Sequence, residues 1–330
     1  MFRTSATMQA DRRRFLQIAT THLGTTAVAR TAAQSQPEPK ALQFVVPTPP
    51  GSQPDVIARW LVEPIARRAN LPGSVLNRPG AAGAIAADAV LSTDPIGGPL
   101  LLGGLDHIAY SHLNSNRRAL DPFVDFVPVG SVNRDSWVVA TAADSPATSV
   151  AALVQTGRGG ASLSFGSTGE GTTAHLLGVR FCRALGIDAQ HVPYKETYLP
   201  DLIAGRLHFV LAPTPGLIGP IRSGRVRALA TLTNERICVL DGVPSIREIG
   251  HPEQVFHGGL FLFAPAALAA QAARINAWLV DALRQPDIAA RYRDAAIEPT
   301  PLDLAATRLA VSERLQRVDA MRLAVLGRAR

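Results

Sequence analysis

The feature that most constrains the fold of this chain is the alternation of short apolar runs with segments of helical periodicity. The run Leu42–Val46 is rich in β-forming residues and is stopped by Pro47, and an amphipathic segment follows at 56–69. Further predicted strands lie at 100–102, 137–141, 162–165, 208–211, 227–231 and 260–263. Further predicted helices lie at 80–90, 149–155 and 172–185, and the tail at 268–326 is predicted to be mostly helical, with breaks at Pro286 and near 299–301. Strands that alternate with helices predict an α/β protein with mixed, mainly parallel sheets.

Composition places the chain among globular proteins. Apolar residues make up 47% of the 330 residues and charged residues 18%, which is typical of a chain with a packed core. No stretch approaches the roughly 18 to 20 consecutive apolar residues of a membrane-spanning helix. Two cysteines, Cys182 and Cys238, are too few for a disulfide scaffold or a four-cysteine zinc site, and their pairing stays open.

The formal charge of +7 does not indicate nucleic-acid binding. Five arginines and one aspartate lie before residue 34, so the rest of the chain carries about +3. The remaining arginines are scattered, whereas nucleic-acid-binding surfaces cluster their basic residues on one face. We therefore expect no nucleic-acid partner.

The first 33 residues have the order of elements found in an export signal. Residues 11–16 read DRRRFL, and a twin arginine followed by one residue and Phe-Leu matches the twin-arginine motif. A mildly apolar stretch follows, and small residues at 27–29 suit a cleavage site. We predict a signal peptide at 1–33, a polar linker at 34–37 and a periplasmic mature protein. The alternative is an amphipathic first helix of a cytoplasmic enzyme.

Two loops at predicted strand ends are suited to binding an anion. The loop at 47–55 is rich in proline and glycine, the loop at 166–173 is rich in glycine and hydroxyls, and each precedes a predicted helix. Ligands of α/β sheets bind beyond the carboxyl ends of strands, and free amides at a helix start favour negative groups. The candidate ligand-binding residues of the two loops are Pro50, Gly51, Ser52, Asp55, Ser167, Thr168, Gly169, Gly171, Thr172 and Thr173. A rigid structural turn is the alternative for the first loop.

Known catalytic and cofactor motifs are missing from the sequence. The second loop has neither the Gly-Lys-Ser/Thr of a Walker loop nor the glycine spacing of a dinucleotide fingerprint. There is no G-x-S-x-G elbow and no H-E-x-x-H, and the eight histidines show no metal-ligand spacing. His175 is more typical of a helix-packed histidine. We expect a binding protein rather than an enzyme, with no metal and no cofactor.

Short blocks over about residues 40–300 have the order and spacing of a known family. The blocks are FVVP at 44–47 with PG at 50–51 and Asp55, NRPGA at 77–81, LLLG at 100–103, DP at 121–122, Ser167 with Gly169, GT at 171–172, HVPYK at 191–195 and VPS at 243–245. Together they resemble the substrate-binding receptors of tripartite tricarboxylate transporters, the Bug family of periplasmic proteins.

The resemblance implies a two-lobed, Venus-flytrap fold of the periplasmic-binding-protein type, type II-like. The first lobe would take residues 38–141 and 259–330 and the second 142–258, with the ligand between them. Family members hold carboxylates through backbone amides, hydroxyls and water, without needing an arginine. The resemblance implies a small organic acid or related metabolite and transmembrane permease subunits as partners. The alternatives are a sensor feeding a two-component system, an exported α/β hydrolase and a cytoplasmic effector-binding regulator.

Charged residues replace the usual family residues at three positions near the expected cleft. Asp106 and His107 stand where small or hydroxyl residues are usual, and Glu170 stands where asparagine is usual. We add Asp106 and His107 to the candidate ligand-binding residues. Two acids would repel a di- or tricarboxylate by roughly a few kcal/mol at short range. Our hypothesis is therefore a ligand of altered charge: a monocarboxylate, an amino acid or a neutral compound. The alternative is that these side chains point to solvent, and citrate as the strongest ligand in a screen would contradict the hypothesis.

Overall fold

The computed structural model describes residues 37–109, 119–159 and 162–326. The predicted signal peptide at 1–33 and most of the linker at 34–37 lie outside these residues. Within them, no helix combines the length and apolarity that crossing a membrane requires.

Twelve strands and ten α-helices make up the described part of the chain. The strands are β1 (Leu42–Val46), β2 (Gly73–Asn77), β3 (Pro99–Gly103), β4 (Phe126–Ser131), β5 (Asn133–Ala142), β6 (Leu163–Ser167), β7 (Ala189–Pro193), β8 (Phe209–Pro213), β9 (Val226–Thr231), β10 (His257–Gly258), β11 (Phe261–Pro265) and β12 (Ile297–Pro299). The helices are α1 (Gln53–Ala69), α2 (Ala84–Ser92), α3 (Asp106–Ala109), α4 (Val150–Arg158), α5 (Thr173–Leu185), α6 (Leu199–Ile203), α7 (Thr214–Arg222), α8 (Ala272–Leu283), α9 (Pro286–Asp294) and α10 (Leu304–Leu326).

The first sheet has the strand order β2-β1-β3-β11-β4. β1 pairs in parallel with β2 and β3, whereas β11 is antiparallel to β3 and β4. Every residue of β3 and β11 is buried, which explains why these central strands read as continuous apolar runs. Helices α1, α8 and α9 cover one face, and α2 with the beginning of α10 covers the other.

The second sheet has the order β10-β5-β8-β6-β7, and β9 and β12 also pair with β5. β6 is parallel to β7 and β8, whereas β5 is antiparallel to all four of its partners. Helices α4 and α5 and the end of α10 pack on one face, and α6 and α7 pack on the other. The α/β class and mixed sheets are confirmed. The sheets are less parallel than predicted, because β5 and β11 each run against their neighbours.

Two strand connections and one helix join the sheets. The chain passes from β4 to β5 at Val132 and from β10 to β11 at Gly259 and Leu260. These crossings are bonded to each other, since the Val132 N–H donates to the Leu260 carbonyl at 2.9 Å. α10 packs against β4 and α5 and so touches both sheets. β12 pairs with β5 of the second sheet although it follows residue 259, and the lobe boundaries stay a prediction.

Candidate ligand-binding cleft

A cleft with two neighbouring cavities lies between loops of the two sheets. The larger cavity has a volume of about 420 Å³ and the smaller one about 300 Å³. Residues that line both are Thr48, Pro49, His107, Thr168 and Glu196. The two cavities are therefore compartments of one cleft, and each has the size of a small-molecule site.

Most of the predicted ligand-binding residues meet in this cleft. Those that line the larger cavity are Pro50, Gly51, Ser52, Asp106, His107, Thr168, Thr172 and Thr173. Gly169 lines the smaller cavity. Asp55, Ser167 and Gly171 line neither cavity, and their contacts hold the loops in shape from behind.

Asp55 fixes the first loop and does not begin the helix. The N-cap of α1 is Ser52, and the helix starts at Gln53, three residues before the predicted start. The Asp55 carboxylate accepts the Gly51 N–H at 2.8 Å and pairs with Arg59 at 2.9 Å. Burial raises the pKa of Asp55, but hydrogen bonds from Arg59, Gly51 and Asn77 together hold it below its usual range. The carboxylate is therefore ionised and committed to the loop.

The second loop already uses its amides within the protein. The N–H groups of Gly169, Gly171 and Thr172 bond inside the loop and the first turn of α5, at 3.1, 3.1 and 3.4 Å. The Thr173 N–H donates to Asp106 Oδ2 at 2.9 Å. Asp106 lies in a loop of the first sheet. Its carboxylate therefore accepts the hydrogen bond of an amide that the sequence analysis assigned to ligand binding. The prediction of a free amide at Thr173 is wrong, because the partner lies 67 residues away.

Asp106 and His107 do not point to bulk solvent. Their side chains are 13% and 11% exposed and both line the larger cavity. His107 Nδ1 accepts the Gly104 N–H at 3.0 Å, so the proton of the neutral ring lies on Nε2. The charged departures from the family pattern are therefore part of the cleft wall.

A serine–histidine pair lies behind the wall of the cleft. Ser167 is fully buried, its Oγ donates to the Gly169 carbonyl at 2.9 Å, and it lies 2.7 Å from His191 Nε2. Burial, with a smaller contribution from neighbouring His175, lowers the pKa of His191 to about 4. Because the hydroxyl is committed and neither residue lines the cleft, the pair supports the loop. His175 is buried on α5 and accepts the Gly171 N–H, which confirms the helix-packed prediction.

Besides Glu196, the sequence analysis missed two charged residues of the larger cavity, Asp135 and Arg314. Asp135 is 3% exposed and accepts hydrogen bonds from Gln53, Asn133 and Trp137. Burial raises its pKa, although these three donors and Arg314 act in the opposite direction. Arg314 of α10 is the one arginine or lysine among the described residues that line the larger cavity. Neither residue belongs to a motif, so only the fold reveals them.

The smaller cavity has a strained wall. Ala81 and Ala82 have φ values of 46° and 49° between Gly80 and Gly83, which also have positive φ. A non-glycine residue in this region costs about 1–3 kcal/mol, and such strain concentrates at binding sites. All four residues line the smaller cavity. The family block at 77–81 was the only sequence signal for this loop.

The two cysteines are not paired. Cys182 is buried on α5, as predicted for a core position, and Cys238 is exposed. Burial raises the pKa of Cys182 to about 12, which makes it a poor nucleophile. In residues 37–109, 119–159 and 162–326, no cluster of three or more His, Cys, Asp or Glu side chains could hold a metal ion.

Comparisons with known proteins agree with this architecture. The model of the family described as "Tripartite tricarboxylate transporter family receptor" matches residues 57–324. Protein BugT of Bordetella pertussis is 29% identical over 266 residues, covering 76% of this chain and 78% of BugT. The solved structure of R. palustris Rpa4515 with adipate has a TM-score of 0.80 at 26% identity, covering 86% of this chain and 96% of that one. The periplasmic binding protein BugD, at 22% identity, has the same fold with a TM-score of 0.77, covering 86% of this chain and 97% of BugD.

Proposed function

The chain belongs to the tripartite tricarboxylate transporter receptor family, and we propose that it captures a small organic acid between its two sheets for membrane permease subunits. The observation that carries this proposal is the cleft, because loops of both sheets and the crossing at 259–260 line it together. A ligand held by both sheets can couple binding to their relative position, which is what a permease would recognise.

Two further observations support a carboxylate ligand. The similar Rpa4515 protein was solved with adipate, a small dicarboxylate. In this chain, the larger cavity has a cationic side chain, Arg314, together with the hydroxyl of Thr168. These groups suit a carboxylate.

A binding role is also favoured over catalysis. The hydroxyl of Ser167 is bonded to a carbonyl, and Cys182 is held as a buried thiol. A nucleophile and base within reach of a substrate would be needed for an exported hydrolase. We therefore propose a receptor without turnover, and steady hydrolysis of an ester panel by the purified protein would contradict it.

Partly filling the larger cavity with Gly216→Leu is expected to weaken binding without harming the fold. Gly216 lies on α7 and lines the cavity, and a Cβ there meets no atom within 4 Å. Leucine should fill part of the cavity, weaken the best carboxylate at least about tenfold and leave stability equal or slightly higher, since glycine disfavours helices by ~1 kcal/mol. A thermal-shift screen of carboxylates, amino acids and neutral metabolites identifies the ligand, and calorimetry gives its Kd.

Gly219→Leu is the matched control for this prediction. Gly219 lies on the same helix, has the same open space, and does not line the cavity. Ligand at a hundredfold excess over its Kd should stabilise the control by about 2.7 kcal/mol. Equal affinity in both variants would place the ligand elsewhere. A screen in which no small molecule stabilises the protein would contradict the receptor function itself.

We also propose that the protein reaches the periplasm through the twin-arginine pathway. The support is the DRRRFL segment at 11–16 with its apolar and small-residue continuation, and the family to which the chain belongs is one of periplasmic receptors. Changing Arg12 and Arg13 together to lysine should leave the full chain in the cytoplasm. Cell fractionation measures the distribution, and unchanged periplasmic protein in the double variant would exclude this pathway.

A further inference from the structure

Arg314 places a positively charged side chain in the wall of the larger cavity. Its Nη2 donates to the Gly258 carbonyl at 3.1 Å, and its guanidinium carbon lies 6.0 Å from the centre of the Phe256 ring. An arginine carries five N–H donors in a planar fork. The bond to Gly258 is the one hydrogen bond that this fork makes with the described residues, so most of its donors have no protein acceptor there.

No carboxylate of the described residues is in contact with this cation. Burial lowers the pKa of Arg314, while Asp135 and Asp106 raise it from a distance. Neither acid forms an ion pair with Arg314 within 4 Å, because Asp135 is bonded to Gln53 and Asp106 to the Thr173 amide. A half-buried cation without a contacting anion is costly. An anionic group in the cavity would remove that cost.

Several amides that could compete for a ligand carboxylate are occupied. Asp106 accepts the Thr173 N–H at the start of α5, and the neighbouring amides of the 166–173 loop bond internally. In the first loop, the Gly51 N–H is taken by Asp55. The guanidinium of Arg314 is therefore the strongest anion-binding group left in the wall of the larger cavity.

The rest of the larger cavity opposes a second negative charge. Besides the buried Asp135, two acids line it, Asp106 and Glu196. Like charges at short range in a partly desolvated site repel by several kcal/mol. Most of the remaining wall is apolar; its large side chains are Leu105, Trp137, Leu199, Leu211, Leu217, Phe256, Leu260 and Val318. One end of a ligand can meet Arg314, and its body then lies against apolar side chains and acids.

We propose that Arg314 binds the single carboxylate of the ligand and that the larger cavity selects monocarboxylates with an apolar body over dicarboxylates. This inference rests on the proposed receptor function and names the ligand class of the same cleft. Arg314 is the residue that determines specificity for charge, and Asp106 and Glu196 exclude the second carboxylate.

Hexanoate and adipate test the proposal as a matched pair, since both have six carbons and adipate replaces the terminal methyl with a second carboxylate. Calorimetry on the purified full chain should give hexanoate, or the aromatic probe phenylacetate, an affinity at least tenfold above that of adipate. Arg314→Gln should weaken the monocarboxylate at least tenfold. The same variant should leave the affinity for neutral hexanamide unchanged, which a general loss of structure would not.

Arg317→Gln is the control, because Arg317 lies one turn away on α10, is 69% exposed, and loses the same charge. It should bind within twofold of the original protein. Arg314→Lys serves if Arg314→Gln does not fold: it keeps the charge but loses the fork, so it should bind more weakly than the original chain. The proposal is overturned if adipate binds more tightly than every monocarboxylate, or if the Arg314 variants bind the monocarboxylate like the original. If the Arg314 variants bind carboxylates as tightly as the original protein, only this inference is overturned. If the protein binds no carboxylate at all, the receptor function is overturned too.

Discussion

Gly98→Ala should lower the free energy of unfolding by about 2–5 kcal/mol. Gly98 has φ +60°, and a Cβ there would lie 1.8 Å from the backbone carbonyl oxygen of Ala41. The left-handed conformation costs a non-glycine residue roughly 1–2 kcal/mol, and overpacking adds about 1–3 kcal/mol. The Gly98 carbonyl also accepts the Gln43 N–H at 2.9 Å, so any backbone shift disturbs the β1–β3 pairing beneath the 47–55 loop. Urea denaturation measures the loss.

Gly97→Ala separates this effect from a general intolerance of alanine in the turn. A Cβ at Gly97 meets only the Thr93 side chain, at an ordinary 3.5 Å, and its φ is not in the left-handed region. The control should change stability by no more than about 1 kcal/mol, and a small gain fits the reduced entropy of the unfolded chain. If the two variants unfold at the same urea concentration, the steric argument for Gly98 is wrong.

Asp135→Ala should lower the free energy of unfolding by about 3 kcal/mol, measured near pH 5. The change removes the shared acceptor of Gln53, Asn133 and Trp137, all of which donate to this buried carboxylate. Each unsatisfied buried donor costs roughly 1–3 kcal/mol, partly offset because the carboxylate no longer has to be desolvated. Asp281→Ala removes a carboxylate that is 48% exposed from a surface pair with Arg68, and it should change stability by at most about 0.5 kcal/mol. A deficit below about 1 kcal/mol for Asp135→Ala would contradict the prediction.

The loss of unfolding free energy caused by Asp135→Ala should also depend on pH. Burial raises the pKa of Asp135 in the folded chain, whereas the unfolded chain titrates near ~3.9. Between these two pKa values the folded state binds the proton more tightly, so the contribution of Asp135 is largest at low pH and decreases as pH rises towards the folded pKa. The difference between the original protein and the variant should therefore be larger at pH 4 than at pH 7. An equal difference at both pH values would show that the carboxylate is ionised in the folded state.

The sequence predicted the central strands and both cleft loops because these carry strong local signals. β1, β3 and β6 are apolar runs followed by glycine, proline or hydroxyl residues, and the structure places strands at each. β2 and β7 were missed because both are edge strands with little burial and mixed polarity. Their pairing depends on β1 and β6 rather than on their own side chains.

The charges of the cleft were less predictable than its loops. Asp106 reaches the amide of a residue 67 positions later, and that contact has no local pattern. Arg314 lies in a helix that the sequence indicates only by its periodicity, among many other arginines. Pro54 at the start of α1 was a usable signal for the earlier helix start, since proline is favoured in the first turn. Local chemistry therefore predicts elements, whereas the ligand-binding charges depend on long-range topology.

The position of α10 sets how far each part of the cleft can travel. Val311 belongs to the apolar core of the first sheet, while Val318, Met321 and Val325 belong to that of the second. Arg314 lies between these two groups and is bonded to Gly258, next to a crossing of the chain. If the sheets rotate about these crossings, a residue moves further the greater its distance from the rotation axis. The loops at 47–55 and 166–173 would then move most, whereas Arg314 would move little because it lies close to the axis. A carboxylate held by Arg314 would then keep its position while the two loops close over the rest of the ligand.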